Sequence, residues 1–169
     1  MQGARSSFKH GRPARAQSSN FPVSSKRLTS FKRPAGIMSA INLRSRYFQM
    51  VVNPSDIVKT AFVTKNGTYA FRRMPFGLSG AAPNFQKAMD TILKPVIGKL
   101  VNVYMDDVII SSPSFTQHVE HLKNVFRLLH EPGLTLNKDK CKFDCDELKY
   151  LGLIINKEGI NLMKQKFKL

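Results

Sequence analysis

Negative charge is scarce in this chain: 11 Asp and Glu stand against 27 Lys and Arg, a formal net charge of +16 over 169 residues. No carboxylate occurs before Asp56. Such an excess of cations favours polyanionic partners, nucleic acid first among them, or a basic protein of the ribosomal type. Cysteine is nearly absent. Cys141 and Cys145 form one C-x3-C pair with no second Cys or His pair at zinc-finger spacing, so reduced thiols are expected and a structural zinc site is not. There is no secretory leader pattern and no run of about 18 apolar residues, so no membrane span is expected and the chain reads as soluble and intracellular. The sequence does not separate cytoplasm from nucleus.

What is present divides into three parts. Residues 1–36 carry eight Lys and Arg and no acid, half of the net charge, and are rich in Ser and broken by Pro13, Pro22 and Pro34. Without apolar periodicity this segment reads as a basic, disordered tail. Its prolines argue against the amphipathic helix of an organelle transit peptide. The pairs Lys26-Arg27 and Lys32-Arg33 suit phosphate binding or nuclear import. Residues 37–163 carry the folded pattern, large enough to bury about two-thirds of its unfolded surface, and 164–169 form a short C-terminal tail.

Within the folded part, strand and helix signals alternate. IMSAINL is a short apolar run suited to a buried strand, followed by a helical or turn segment at LRSRYF. In KTAFVTKNGTYAF, Asn66-Gly67 between two β-rich runs predicts a tight hairpin turn. Ala82 to Leu93 places Phe85, Ala88, Met89 and Ile92 on one helical face, with Pro83 in the first turn. Leu100 to Ile110 returns to strand period, Val101, Val103 and Met105 on one side, with Asp106-Asp107 expected at the turn. Ser114 and Gln117 form a capping box for a helix whose stripe is Val119, Leu122, Val125, Phe126 and Leu129. LTLNKDKC reads as a strand or extended piece and YLGLII as another. His118 and His121 lie three apart on the helix, but without a nearby acid they do not suggest a metal site. The expected class is α/β or α+β, a sheet with helices on one face.

The conspicuous feature is VYMDDVII. Adjacent carboxylates repel unless something positive sits between them, and Asp-Asp is a poor hairpin turn where Asn-Gly would relax the backbone. Taken with MPFGLSGAAPNFQ, NLRSRYFQM, KTAFVT and YLGLII in this order and spacing, it resembles the reverse transcriptases of gypsy-type LTR retrotransposons and, more distantly, of retroviruses, over roughly residues 37–162. The resemblance implies an α+β polymerase palm, an antiparallel sheet backed by helices with part of the fingers. It implies RNA-directed DNA polymerase chemistry, with an RNA/DNA template-primer and deoxynucleoside triphosphates as partners and other pieces of a retroelement polyprotein as neighbours. It also implies two Mg²⁺ ions about 3.5–4 Å apart, one activating the primer hydroxyl and one holding the triphosphate.

By resemblance, Asp106 would be the main metal ligand and Asp107 the more peripheral one, with Tyr104 and Met105 touching primer and template. Tyr47 would be the aromatic gate under the incoming sugar, or simply a core residue. Arg72, Phe76, Gly77 and Gln86 would line the nucleotide pocket, Arg73 being the alternative phosphate contact, or they are packing residues and solvated charges. Tyr150, Leu151 and Gly152 would grip the primer, and Lys138 and Lys140 lie near a segment where a lysine approaches the triphosphate.

Two positions of the expected site depart from the family pattern, besides the proline of the PFGL helix, which comes one position late at Pro83. Asn42 stands where the family has the metal-bridging aspartate, and Arg46 stands where a glycine usually precedes the gate. Asn42 offers a carbonyl oxygen but no charge, and its amide donors repel a cation. Losing one member of a buried charge cluster costs about 2–5 kcal/mol, and each 1.4 kcal/mol of barrier is about tenfold in rate. The expectation is a polymerase domain impaired by about thirty- to several-thousand-fold, resembling a truncated copy of a retroelement, or a noncatalytic nucleic-acid-binding remnant.

Overall fold

The computed structural model of the chain describes residues 36–162. The basic tail expected over 1–36 falls outside this range except for Gly36, as does the C-terminal tail at 164–169.

The central element is strand β1, Ile37–Asn42, buried on both faces, with Met38 on one and Ser39 and Ile41 on the other. It lies between β5 (Asp107–Ser112) and β6 (Lys142–Cys145), and β4 (Val101–Tyr104) completes a four-stranded antiparallel sheet in the order β4-β5-β1-β6. Two smaller sheets flank it. One is the hairpin of β2 (Phe62–Thr64) and β3 (Gly67–Tyr69), and the other is the three-stranded meander β7 (Glu147–Tyr150), β8 (Leu153–Asn156) and β9 (Gly159–Leu162).

Helix α1, Ala81–Ile92, buries Ala81, Phe85 and Met89, and helix α2, Phe115–His130, buries His118, Val125 and Leu129. The expected boundaries for α1 move by one residue. Pro83 sits in the first turn, where backbone N–H groups have no intrahelical acceptor. Ser114 caps α2 by accepting from the Gln117 N–H at 3.4 Å. Both helices pack on one face of the main sheet, where Phe85, Met89, Val125 and Leu129 meet Ile41, Val101, Val103, Val108 and Ile110. The opposite face, with Met38 and Ile109, is partly covered by Leu148, Tyr150 and Ile155 of the meander. The result is an α+β fold with helices on one side and a second face open enough to hold a site.

Three local expectations are corrected. The β4–β5 turn is Met105-Asp106 rather than Asp106-Asp107, since Tyr104 already pairs with Asp107. Met105 supplies the left-handed residue that the tight turn needs, at φ 55°, which leaves Asp107 in extended backbone. In the β2–β3 hairpin, Gly67 pairs with Thr64, so Lys65-Asn66 forms the turn. The Thr64 hydroxyl organises it, accepting from the Asn66 N–H at 3.2 Å and donating to the Gly67 carbonyl at 3.1 Å. LTLNKDKC, expected as a strand or extended piece, forms no strand. Leu136 makes an isolated bridge to Leu43, and Lys138–Lys140 coil into a 3-10 turn before β6 begins at Lys142.

Candidate active site

Asn42 ends β1 directly opposite Asp107, the first residue of β5. Side chains alternate along a strand, so Asn42 shares a face with Met38 and Ala40, and Asp107 shares one with Ile109. That face lies away from the helices. Asp106 is brought to the same corner by the turn, its carbonyl accepting from the Leu43 N–H at 2.9 Å. Gln86 of α1 fixes the turn from behind by accepting the Met105 N–H at 2.7 Å, and its own amide donates to Asp90 at 2.8 Å.

The Asn42 amide bridges the two acids. Its Nδ2 donates to Asp106 Oδ2 at 3.1 Å and to Asp107 Oδ1 at 2.7 Å. The other oxygen of Asp106 is met by Arg46, whose Nε lies 2.6 Å from Oδ1. Asp106 is only 6% exposed, and a buried carboxylate requires such compensation. The partnership holds the Arg46 guanidinium above its ordinary pKa, first through its hydrogen bond to Asp106 and, working against burial, through the negative charges nearby. Asn42 is anchored through its backbone too, its carbonyl accepting from the Asn137 N–H at 2.8 Å and its N–H lying 3.5 Å from Cys141 Sγ.

The Mg²⁺ that the resemblance implies calls for hard oxygen ligands. Here N–H donors face both oxygens of Asp106 and one of Asp107. Turning the amide over would set its oxygen against carboxylate oxygens. Among the described residues there is no group of three His, Cys, Asp or Glu able to hold a metal. As arranged, these side chains do not fit a divalent ion.

Around this corner, a cavity of about 110 Å³ is lined by Asn42, Asp107, Lys140, Lys142, Lys149 and Tyr150 among others. Lys140 therefore reaches the acidic corner, whereas Lys138 does not line this cavity. Tyr150 packs with Met38, Ile109, Leu148 and Ile155, and Tyr104 packs against the same cluster. Leu151 and Gly152 form the β7–β8 turn at φ 50° and 79°, the mirror-image turn that suits a two-residue hairpin.

Tyr47 sits in the 3-10 turn Arg46–Gln49, its ring 5.3 Å from Phe76 and 5.7 Å from Phe85. It is thereby a packing residue as well as a neighbour of Arg46. Phe76 remains 58% exposed, and Gly77 follows it at φ 91°. Arg72 is exposed, its carbonyl accepting from the Val52 N–H, and Arg73 donates to the Gln49 carbonyl at 2.9 Å. Neither Tyr47 nor these last residues line the cavity beside the acids.

Sequence reasoning missed the Arg46 contact with Asp106. Its only trace is a bulky cation at a position expected to hold glycine. It also missed Gln49, whose side chain accepts from the Thr135 N–H at 2.6 Å and so ties the 3-10 turn to the chain after α2. The two histidines bind no acid cluster. Ser112 Oγ is hydrogen-bonded to His118 Nδ1 at 2.8 Å and to His121 Nδ1 at 2.7 Å, and Ser39 Oγ to His118 Nε2 at 2.7 Å. Both cysteines are free thiols.

Residues 8–155 match the family described as reverse transcriptase (RNA-dependent DNA polymerase). The chain is 42% identical over 122 residues to the retrovirus-related Pol polyprotein from transposon 297 of Drosophila melanogaster, covering 72% of this chain and 12% of that one. It is 37% identical over 134 residues to the corresponding gypsy polyprotein of the same organism, covering 79% and 13%. A Tf2-3 transposon polyprotein of Schizosaccharomyces pombe is 35% identical over 123 residues, covering 73% and 9%. The chain thus spans about an eighth or less of the length of these curated relatives. Among solved structures, the foamy viral protease-reverse transcriptase in complex with an RNA/DNA hybrid aligns with a TM-score of 0.70 at 25% identity, covering 76% of this chain and 17% of that one. The same viral protein in complex with double-stranded DNA aligns with a TM-score of 0.74 at 24% identity, covering 82% and 24%. With this match running through most of its length, the chain belongs to the reverse transcriptase family and is related to the polyproteins of gypsy-type retrotransposons.

Proposed function

We propose that this chain is the palm, with part of the fingers, of a retroelement reverse transcriptase, and that it engages a template-primer duplex while its nucleotidyl transfer is impaired. The observation that carries the reading is the Asn42 amide donating to both Asp106 and Asp107. Asn42 stands where the family resemblance calls for an aspartate, and an amide that donates to both acids supplies no third negative ligand.

Duplex engagement is supported by Lys140, Lys142 and Lys149 around the cavity beside the acids, and by the net charge of +16. It is supported also by the relatives solved with an RNA/DNA hybrid and with double-stranded DNA. Tyr104, Met105, Tyr150, Leu151 and Gly152 would meet primer and template. Tyr47, Arg72, Phe76, Gly77 and Gln86 would meet the incoming nucleotide, Gln86 chiefly by holding the Met105 turn in place. The neighbours implied by the relatives are other parts of a polyprotein.

Fluorescence anisotropy with a labelled RNA/DNA hybrid tests the reading. The expected result is binding whose logarithm falls linearly with the logarithm of salt concentration, as counterion release requires. A chain that fails to bind the hybrid at low salt would overturn the proposal. Primer extension separates impaired catalysis from its complete loss. The chain as it stands should extend at least about thirty-fold more slowly than a variant restored at positions 42 and 46; if that variant also fails to extend, the chain is a binding module alone.

A further inference from the structure

We infer that Arg46 and Asn42 act together as a built-in replacement for divalent cations, so that the acidic corner is neutralised from within and excludes metal until both residues are changed. The inference rests on the reverse-transcriptase reading of Asp106 and Asp107.

The geometry is specific. Asp106 has both carboxylate oxygens committed, Oδ1 to Arg46 Nε at 2.6 Å and Oδ2 to Asn42 Nδ2 at 3.1 Å, and the same nitrogen of Asn42 holds Asp107 Oδ1 at 2.7 Å. Each oxygen keeps a further lone pair, but a divalent ion on either would lie beside the positive ends of these donors and close to a guanidinium, a repulsion relieved only by breaking a charge-assisted hydrogen bond and reversing an amide.

The backbone delivers Arg46 to this place. Ser45 and Arg46 are consecutive left-handed residues, at φ 54° and 35°, a conformation that costs a side-chain-bearing residue energy and suits glycine. The surroundings hold it. Tyr47 is wedged between Phe76 and Phe85, and the Phe48 N–H donates to the Ser45 carbonyl at 3.0 Å. Arg46 therefore occupies a glycine-type conformation, and its guanidinium reaches the most buried acid of the site.

The two departures from the family pattern are thus not independent losses. With Asn42 changed alone, the new carboxylate meets a site still holding Arg46. With Arg46 changed alone, the amide still faces both acids. Only the double change gives three carboxylates without a competing cation, and Arg46→Gly matches the local backbone.

The experiment is titration with Mn²⁺, read by electron paramagnetic resonance on the full chain, for the unaltered protein, Asn42→Asp, Arg46→Gly and the double variant. The expected result is no tight site in the unaltered chain, and Mn²⁺ affinity in the double variant about tenfold or more above either single variant. The inference is overturned if Asn42→Asp alone binds as tightly as the double variant. It is overturned equally if the unaltered chain binds tightly, or if the double variant binds no better than the unaltered chain.

A second measurement needs no substitution and so no variant that might fail to fold. The Arg46 Nε–H resonance of the unaltered chain should persist, slowly exchanging, as Mg²⁺ is added; its loss on titration would overturn the inference. Hybrid binding reports on the functional proposal separately. A chain with this Mn²⁺ pattern but no hybrid binding keeps the inference and sinks the function, and the opposite pattern does the reverse.

Discussion

Asp106, 6% exposed, and its neighbour Asp107 would repel each other across a tight turn were it not for the donors set against them. Asn42 is the donor shared by both acids, a single nitrogen serving each of them. Asn42→Ala leaves two carboxylate oxygens without this donor and should destabilise the fold by about 1–3 kcal/mol; a urea midpoint equal to that of the unaltered chain would contradict this. His118 sets a different dependence. It is 2% exposed, and burial first, then the neighbouring His121, push its pKa below the ordinary imidazole value, with Asp144 opposing. The folded state therefore favours the neutral ring. The stability this contributes is present above the unfolded pKa of about 6.5 and is lost as pH falls from there through the folded value. Thermal melts should show a fall in midpoint on acidification below about pH 6.5, smaller in His118→Gln; identical pH profiles for the two proteins would assign the effect elsewhere.

At the scale of elements, the sheet and the β4–β5 turn depend on a few contacts that can be removed one at a time. Gln86→Leu leaves the Met105 N–H without its acceptor and should cost about 1–3 kcal/mol, loosening the turn that carries Asp106. Faster amide exchange at Met105 is the readout, and unchanged exchange would refute it. Gly36 immediately precedes β1 at φ 154°, and a Cβ there would fall 2.0 Å from the Ser112 carbonyl oxygen. Gly36→Ala must therefore push β1 from β5 at its first pair, Ile37 with Ser112, and should lower stability by about 1–3 kcal/mol in a denaturant titration.

Much of this level was legible in the sequence. The short apolar run IMSAINL marked β1 and the Ser114–Gln117 box marked the start of α2, whereas YLGLII, read as one strand or extended piece, is broken by the Leu151-Gly152 turn between β7 and β8. Both expected hairpin turns were misplaced by one residue, the β4–β5 turn because a side chain outside the local sequence decides it. Gln86, nineteen positions away, holds Met105, and no propensity at Asp106-Asp107 reports that. Asn42 and both acids do meet, as the sequence reading expected, whereas Tyr47, Arg72, Phe76 and Gly77 do not line the cavity beside them. The pairing of Arg46 with Asp106 spans sixty residues and depends on a left-handed backbone, which composition does not encode.

For the molecule as a whole, the layering explains why the corner is accessible. Both helices pack on one face, while the meander covers the other only through Leu148, Tyr150 and Ile155, leaving the ends of β1 and β5 beside Lys140, Lys142 and Lys149. Among the described residues no helix is long and apolar enough to cross a membrane. Phe85, fully buried and touching Tyr47, joins α1 to the turn that carries Arg46; Phe85→Ala should cost about 3–5 kcal/mol, and a calorimetric midpoint unchanged from the parent would show that this joint is dispensable. The account as a whole stands on internal neutralisation of the acid pair. Its most direct measurement is a crystal structure of the unaltered chain grown with Mn²⁺ and recorded at the manganese absorption edge. The account predicts Asn42 Nδ2 and Arg46 Nε on the two carboxylates and no anomalous peak between them; a manganese peak bound to Asp106 and Asp107, with Arg46 swung away, would contradict it.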